Sequence, residues 1–187
     1  VRDLSGTSVV EVNLGFSGNA FNFLTGTVGG TVTVVGSGAD DDIAVGAGLI
    51  FNPAFPVAVV PLGWGRVQFS GGSLIVDGSD GDDHLSVAPN IPGGPTAVSL
   101  LGGQGNDVLS ADGTLSGGDG DDLLVGGPGD NTLDGGPGND VYSGNGGSDS
   151  ITDASGNGPI LVSGTAGHDA ITLSLNAAGT DLTAAIA

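Results

Sequence analysis

Large apolar residues recur in this chain singly and at fixed spacing, between stretches of glycine and aspartate. From Gly117 to Thr152 four nine-residue units follow one another without a gap: GGDGDDLLV (117–125), GGPGDNTLD (126–134), GGPGNDVYS (135–143) and GNGGSDSIT (144–152). A fifth, GGQGNDVLS, begins at Gly102. Each carries an apolar residue at its eighth position: Leu109, Leu124, Leu133, Tyr142 and Ile151. Side chains alternate across a strand, so that residue faces inward and its neighbours outward. Each unit thus predicts a tight turn followed by a very short strand. One unit cannot bury its apolar side chain alone, so the units must coil and stack. With two units per turn, loops eighteen residues apart lie on one side, separated by roughly 4.8 Å. Asp122 then lies over Asp140, and Asn131 over Asp149.

The same alternation spreads beyond the run. Val10, Val12 and Leu14 alternate with polar residues, as do Asn19–Leu24 (NAFNFL) and Thr31–Val35 (TVTVV), and each predicts a half-buried strand. Degenerate units stand at Gly36–Ala44 (GSGADDDIA), Gly78–Ser86 (GSDGDDHLS) and Gly164–Thr172 (GTAGHDAIT). They offer Asp41, Asp83 and Asp169 at position six; in the first, Ala39 replaces the fourth glycine. First glycines on one side fall at 36, 78, 102, 117 and 135, intervals of 42, 24, 15 and 18 residues. Taking 42 as two coils makes every interval close to one turn. The 15-residue turn requires Ala111–Ser116 to act as the opposite side, with Leu115 inward. Two proline-rich stretches, Asn52–Pro61 and Ala88–Thr96, should leave the coil because proline cannot donate to a ladder. Near them lie Phe51, Phe55, Trp64 and Phe69, a cluster that suits a wider core or a binding face. The expected fold is all-β: a right-handed parallel β-roll or β-solenoid, one continuous stack of roughly nine coils. Within that single domain three parts are expected: 1–101, degenerate coils with proline-rich excursions; 102–152, the nonapeptide roll; and 153–187, further degenerate coils.

Position six carries the candidate chemistry. Two carboxylates one strand spacing apart repel unless a cation lies between them. Calcium suits such a site, since it takes about six to eight oxygens in flexible geometry and glycine turns offer carbonyls beside the carboxylates. Magnesium demands a stricter octahedron of about six ligands and keeps its water. The chain has no Cys and only His84 and His168, so soft-metal sites have no ligand set. Glycines at one and four should allow left-handed backbone.

These units resemble the RTX family, the haemolysin-type calcium-binding repeats of secreted bacterial proteins. The resemblance implies a parallel β-roll holding calcium between successive loops, secretion, and folding triggered by calcium outside the cell. It carries the metal role to Asp107, Asp122, Asp140 and Asp149, with weaker copies at Asp83 and Asp169. Asn131 departs from it: a neutral amide should bind calcium weakly or leave its site empty.

Charge narrows the function further. Net charge is −19, with Arg2 and Arg66 the only basic residues besides histidine. That balance excludes a nucleic-acid or anionic-membrane surface and favours bound cations. At 38% hydrophobic residues the chain is too apolar for a disordered acidic segment. No run of about eighteen apolar residues predicts a membrane span. Val1 is preceded by no leader, so a removed signal or a fragment is expected. Paired acids such as Asp82/Asp83 and Asp121/Asp122 read as a ligand beside a solvated neighbour, and no nucleophile elbow or P-loop is present. The expectation is therefore not an enzyme but a calcium-stabilised structural solenoid of an extracellular surface, matrix or filament protein. Its apolar terminal strands suggest copies associating end to end. The alternative is a calcium-binding accessory module of a larger secreted enzyme, such as a protease or a polysaccharide epimerase or lyase.

Overall fold

The computed structural model describes side chains over residues 30–45, 72–91 and 95–153, and elsewhere the backbone of short strands only. Apolar residues spaced two apart form the strands, and glycine–aspartate turns end them, so the chain makes many short strands in register. One sheet stacks eight parallel strands in chain order: β2 (Val9–Asn13), β4 (Thr31–Val35), β8 (Ser73–Asp80), β10 (Ala97–Gln104), β12 (Thr114–Asp119), β14 (Thr132–Asp134), β16 (Ser150–Asp153) and β18 (Ala170–Leu173). The facing sheet stacks β5 (Asp42–Gly46), β9 (His84–Val87), β11 (Val108–Ala111), β13 (Leu123–Gly126), β15 (Val141–Ser143) and β17 (Leu161–Ser163), also parallel. No helix occurs among the described residues, and the architecture is the expected parallel β-roll.

Two ladders of side chains fill the space between the sheets. On the first, Val34, Val76, Leu100, Leu115, Leu133 and Ile151 stand in register and are fully buried. On the second, Ile43, Leu85, Leu109, Leu124 and Tyr142 do the same. Every eighth-position residue of the repeat run is therefore inward, and Leu115 takes the inward place expected in the short insert. The earlier coils bury two residues per strand, Val32 with Val34, Leu74 with Val76, Ile43 with Val45, and Leu85 with Val87. By β14 and β15 only Leu133 and Tyr142 remain. Full burial of such a side chain contributes about 1.5–3 kcal/mol, so the narrow half of the roll has much less apolar stabilisation per coil than the wide half.

One expectation changes. The 42-residue interval is one coil, not two: β4 pairs directly with β8, and β5 with β9. Between β5 and β8 the chain adds short strands that do not continue either parallel stack. It forms β6 (Leu49–Phe51), antiparallel to β5, and later β7 (Val67–Phe69), in a separate parallel sheet with β1 (Arg2–Asp3) and β3 (Leu24–Val28). The spacing misled because a long excursion and a second coil consume similar lengths of chain. Of the strand expected over Asn19–Leu24, residues 19–23 lie outside the described residues, and Leu24 opens β3. Strands expected at Val10–Val12 and Thr31–Val35 are present. The described residues between β9 and β10 carry no strand, in keeping with the prolines of 88–96. Asn52–Pro61, Phe55, Trp64, His168 and Asp169 lie outside the described residues, and Phe51 and Phe69 are described by backbone alone.

Candidate calcium site

The turns that join the two sheets carry the sixth-position residues, and the coil stacks them into columns. Asp41, Asp83, Asp107, Asp122 and Asp140 form one column, all buried. Each backbone N–H donates to Oδ1 of the aspartate one coil on: Asp41 to Asp83 at 2.7 Å, Asp83 to Asp107 at 2.7 Å, Asp107 to Asp122 at 2.8 Å and Asp122 to Asp140 at 2.9 Å. On the opposite side Asn131 donates to Asp149 Oδ1 at 2.8 Å, and Gly113, in the short insert, donates to Asn131 Oδ1 at 2.8 Å. The expected placement of Asp122 by Asp140 and of Asn131 by Asp149 is found.

One oxygen of each aspartate is thus used, and the other sets the chemistry. Oδ2 of Asp83, Asp107, Asp122, Asp140 and Asp149 is buried with no hydrogen-bond partner. An unpartnered buried carboxylate oxygen is costly, and five in stacked turns far more so. Burial is the main force on their protonation. It pushes the Asp83 and Asp122 carboxyls up to about 7 and Asp140 up to about 6, and it raises Asp107. Neighbouring carboxylates push the same way, and the backbone N–H bonds push back. At the N-terminal end the demand ends: Asp41 Oδ2 accepts from the Ser37 N–H at 2.6 Å and the Ser37 hydroxyl at 2.9 Å.

The first glycine of each unit is required by space. A Cβ on Gly78, Gly102, Gly117, Gly135 or Gly144 would strike the unit's own aspartate Oδ2. Positive φ falls elsewhere, at position two (Ser79, Gly103, Gly118, Gly136, Asn145) and at position four in four units (Gly81, Gly105, Gly120, Gly147). Left-handed backbone was expected at one and four, so position one is corrected.

Sequence reasoning also missed a second ladder. Asp40, Asp82, Asn106, Asp121 and Asn139, at position five, are exposed but not simply solvated. Asp82 N–H donates back to Asp40 Oδ1 at 3.0 Å, Asn106 to Asp82 at 2.8 Å, Asp121 to Asn106 at 2.8 Å and Asn139 to Asp121 at 2.9 Å. This ladder runs against the buried one, so adjacent residues in one turn grip opposite neighbours. The signal was available: Asp or Asn fills position five in the 36, 78, 102, 117, 126 and 135 units. A third feature breaks the repeat. Asp153 stands where the next unit would begin with glycine, and it is buried. The Tyr142 hydroxyl donates to its Oδ2 at 3.3 Å and accepts from the Gly135 N–H at 3.1 Å. Burial, with Asp140 nearby, raises the Tyr142 phenol well above its ordinary range.

Hard oxygens and no nitrogen or sulfur donors fit calcium rather than a transition metal. Among the described residues no three acidic or histidine side chains converge to hold a metal, so backbone carbonyls of the turns would complete the shell. His84 lies against Asp42, in an exposed pair 3.4 Å apart on neighbouring strands. Comparison with curated proteins and with solved structures finds no match. Among protein families, the RTX calcium-binding nonapeptide repeat matches in four copies, over residues 93–113 and 116–151. That match spans the turns of Asp107, Asp122, Asn131, Asp140 and Asp149, and this part of the chain is similar to the RTX calcium-binding repeats.

Proposed function

We propose that the chain is a calcium-stabilised, non-catalytic β-roll with a structural role in an extracellular bacterial protein. The observation that carries this is the set of five buried Oδ2 atoms without partners. Calcium would supply positive charge between coils. The residues holding it would be Asp83, Asp107, Asp122, Asp140 and Asp149, and Asp169 is a further ligand proposed from its repeat position alone. The chain itself orders these carboxylates through the N–H to Oδ1 ladder, and the first glycines leave the second oxygen room.

An extracellular setting suits the chemistry. Calcium modules outside the cell work at about 10⁻⁴–10⁻³ M, a range reached by oxygen sites of this kind. The absence of cysteine leaves metal and stacking as the stabilising devices. Among the described residues the larger sheet terminates at β2 and β18, each with one neighbour. Open parallel edges template further strands, which supports end-to-end association of copies. Isothermal titration of the metal-stripped chain should give saturable calcium binding with no matching magnesium binding. Equal binding of both ions, or of neither, would overturn the calcium reading. Light scattering at millimolar calcium should give species larger than the monomer; monodisperse monomers would remove the end-to-end element alone.

A further inference from the structure

The position-six residue of the 126–134 unit is an amide, and its surroundings show what a cation would replace. In the aspartate turns Oδ2 lies against the first glycine of its own unit: Asp122 against Gly117, Asp140 against Gly135, Asp149 against Gly144. Asn131 places Nδ2 against Gly126 in the same way. That nitrogen donates to the Gly129 carbonyl at 2.7 Å, the Gly127 carbonyl at 3.1 Å and Asp149 Oδ1 at 3.0 Å. Oδ1 of the same amide accepts from Gly113 N–H at 2.8 Å and Gly127 N–H at 3.4 Å. Asn131 is 2% exposed, and neither of its side-chain polar atoms lacks a partner. All five aspartates with an orphaned Oδ2 occupy the equivalent position in other units.

We propose that the Asn131 amide nitrogen stands in for a calcium ion, closing this turn without metal and leaving a latent calcium site that Asn131→Asp would open. Two carbonyls of the turn and a carboxylate from the next coil converge on the nitrogen, and all three are hard oxygens of the kind calcium takes. An NH₂ group meets them with two hydrogens carrying partial positive charge. An oxygen in its place would face three other oxygens, and only a cation or a proton relieves that. The amide therefore does locally what the ion does elsewhere. It also fixes one turn of the narrow half before any calcium arrives, on the side of the roll opposite Asp122 and Asp140.

The inference rests on the calcium reading above, and its test separates the two. Calcium bound per chain is counted by equilibrium dialysis at saturating calcium, for the whole chain and two variants. Asn131→Asp should bind one more ion than the parent, and its melting temperature should depend more steeply on calcium. Asp122→Asn, the converse, should bind one fewer and keep its β spectrum. An unchanged count in both variants overturns the inference while leaving the calcium reading intact. Collapse of Asn131→Asp at saturating calcium also overturns it, because the ion should rescue that variant. A parent chain that takes up no calcium at all overturns the functional reading, and this inference with it.

Discussion

At the scale of single residues, glycine has two separate jobs that look identical in sequence. Gly103 and Gly118 have φ of 126° and 116°, a region L side chains rarely adopt. Gly117 does not need that freedom; a Cβ there would meet the Asp122 carboxylate and the Gly135 carbonyl. Gly117→Ala should therefore cost about 1–3 kcal/mol through overcrowding and weaken calcium binding together with stability. Gly38 has open space around its Cβ position and no positive φ, so Gly38→Ala should stay within about 0.5 kcal/mol of the parent. Paired thermal melts check both, and equal effects would contradict the spatial role of position one. The sequence shows that position one is glycine but not why, because only the folded turn brings the aspartate five residues on against it.

Elements add what residues cannot show alone. The inward apolar ladder and the buried aspartate column were both legible, because each repeats at a constant place in a nine-residue unit. The excursion after β5 was not legible, since its length imitates a coil. The position-five ladder was overlooked because a surface carboxylate and a ladder acceptor share one residue type. Leu133 is the only inward side chain of β14, so Leu133→Ala should cost about 2–5 kcal/mol at saturating calcium. Denaturant unfolding in calcium checks that, and an unchanged stability would contradict it. The column also predicts a pH dependence without metal. The folded carboxyls of Asp83 and Asp122 sit near about 7 and Asp140 near about 6, above their unfolded values. The folded chain then binds more protons than the unfolded one, so stability is full at about pH 4 and falls as pH rises through 6 to 7. Melting temperature of the metal-stripped chain should drop between pH 4.5 and 7.5, and saturating calcium should remove the drop. A rise over that range without metal would contradict the buried, unpartnered state of these oxygens.

Across the described residues the earlier coils bury two apolar side chains per strand and the later ones fewer, under a net charge of −19 for the chain. Metal-linked stability follows, because an ion that binds only stacked turns stabilises the folded state by mass action. At a hundred times its dissociation constant each site adds about 2.7 kcal/mol. On the reading proposed here, several sites acting together would make the narrow half the part whose folding calcium governs, while the wide half would hold its coils by packing. The most direct measurement is far-UV circular dichroism of the metal-stripped chain at pH 7.5 during titration with calcium. The account predicts β signal that grows with calcium and saturates near millimolar concentration, reversed by chelator and not reproduced by magnesium. A full β spectrum that ignores both calcium and chelator would contradict it, and would mean that packing alone holds the carboxylate column in place.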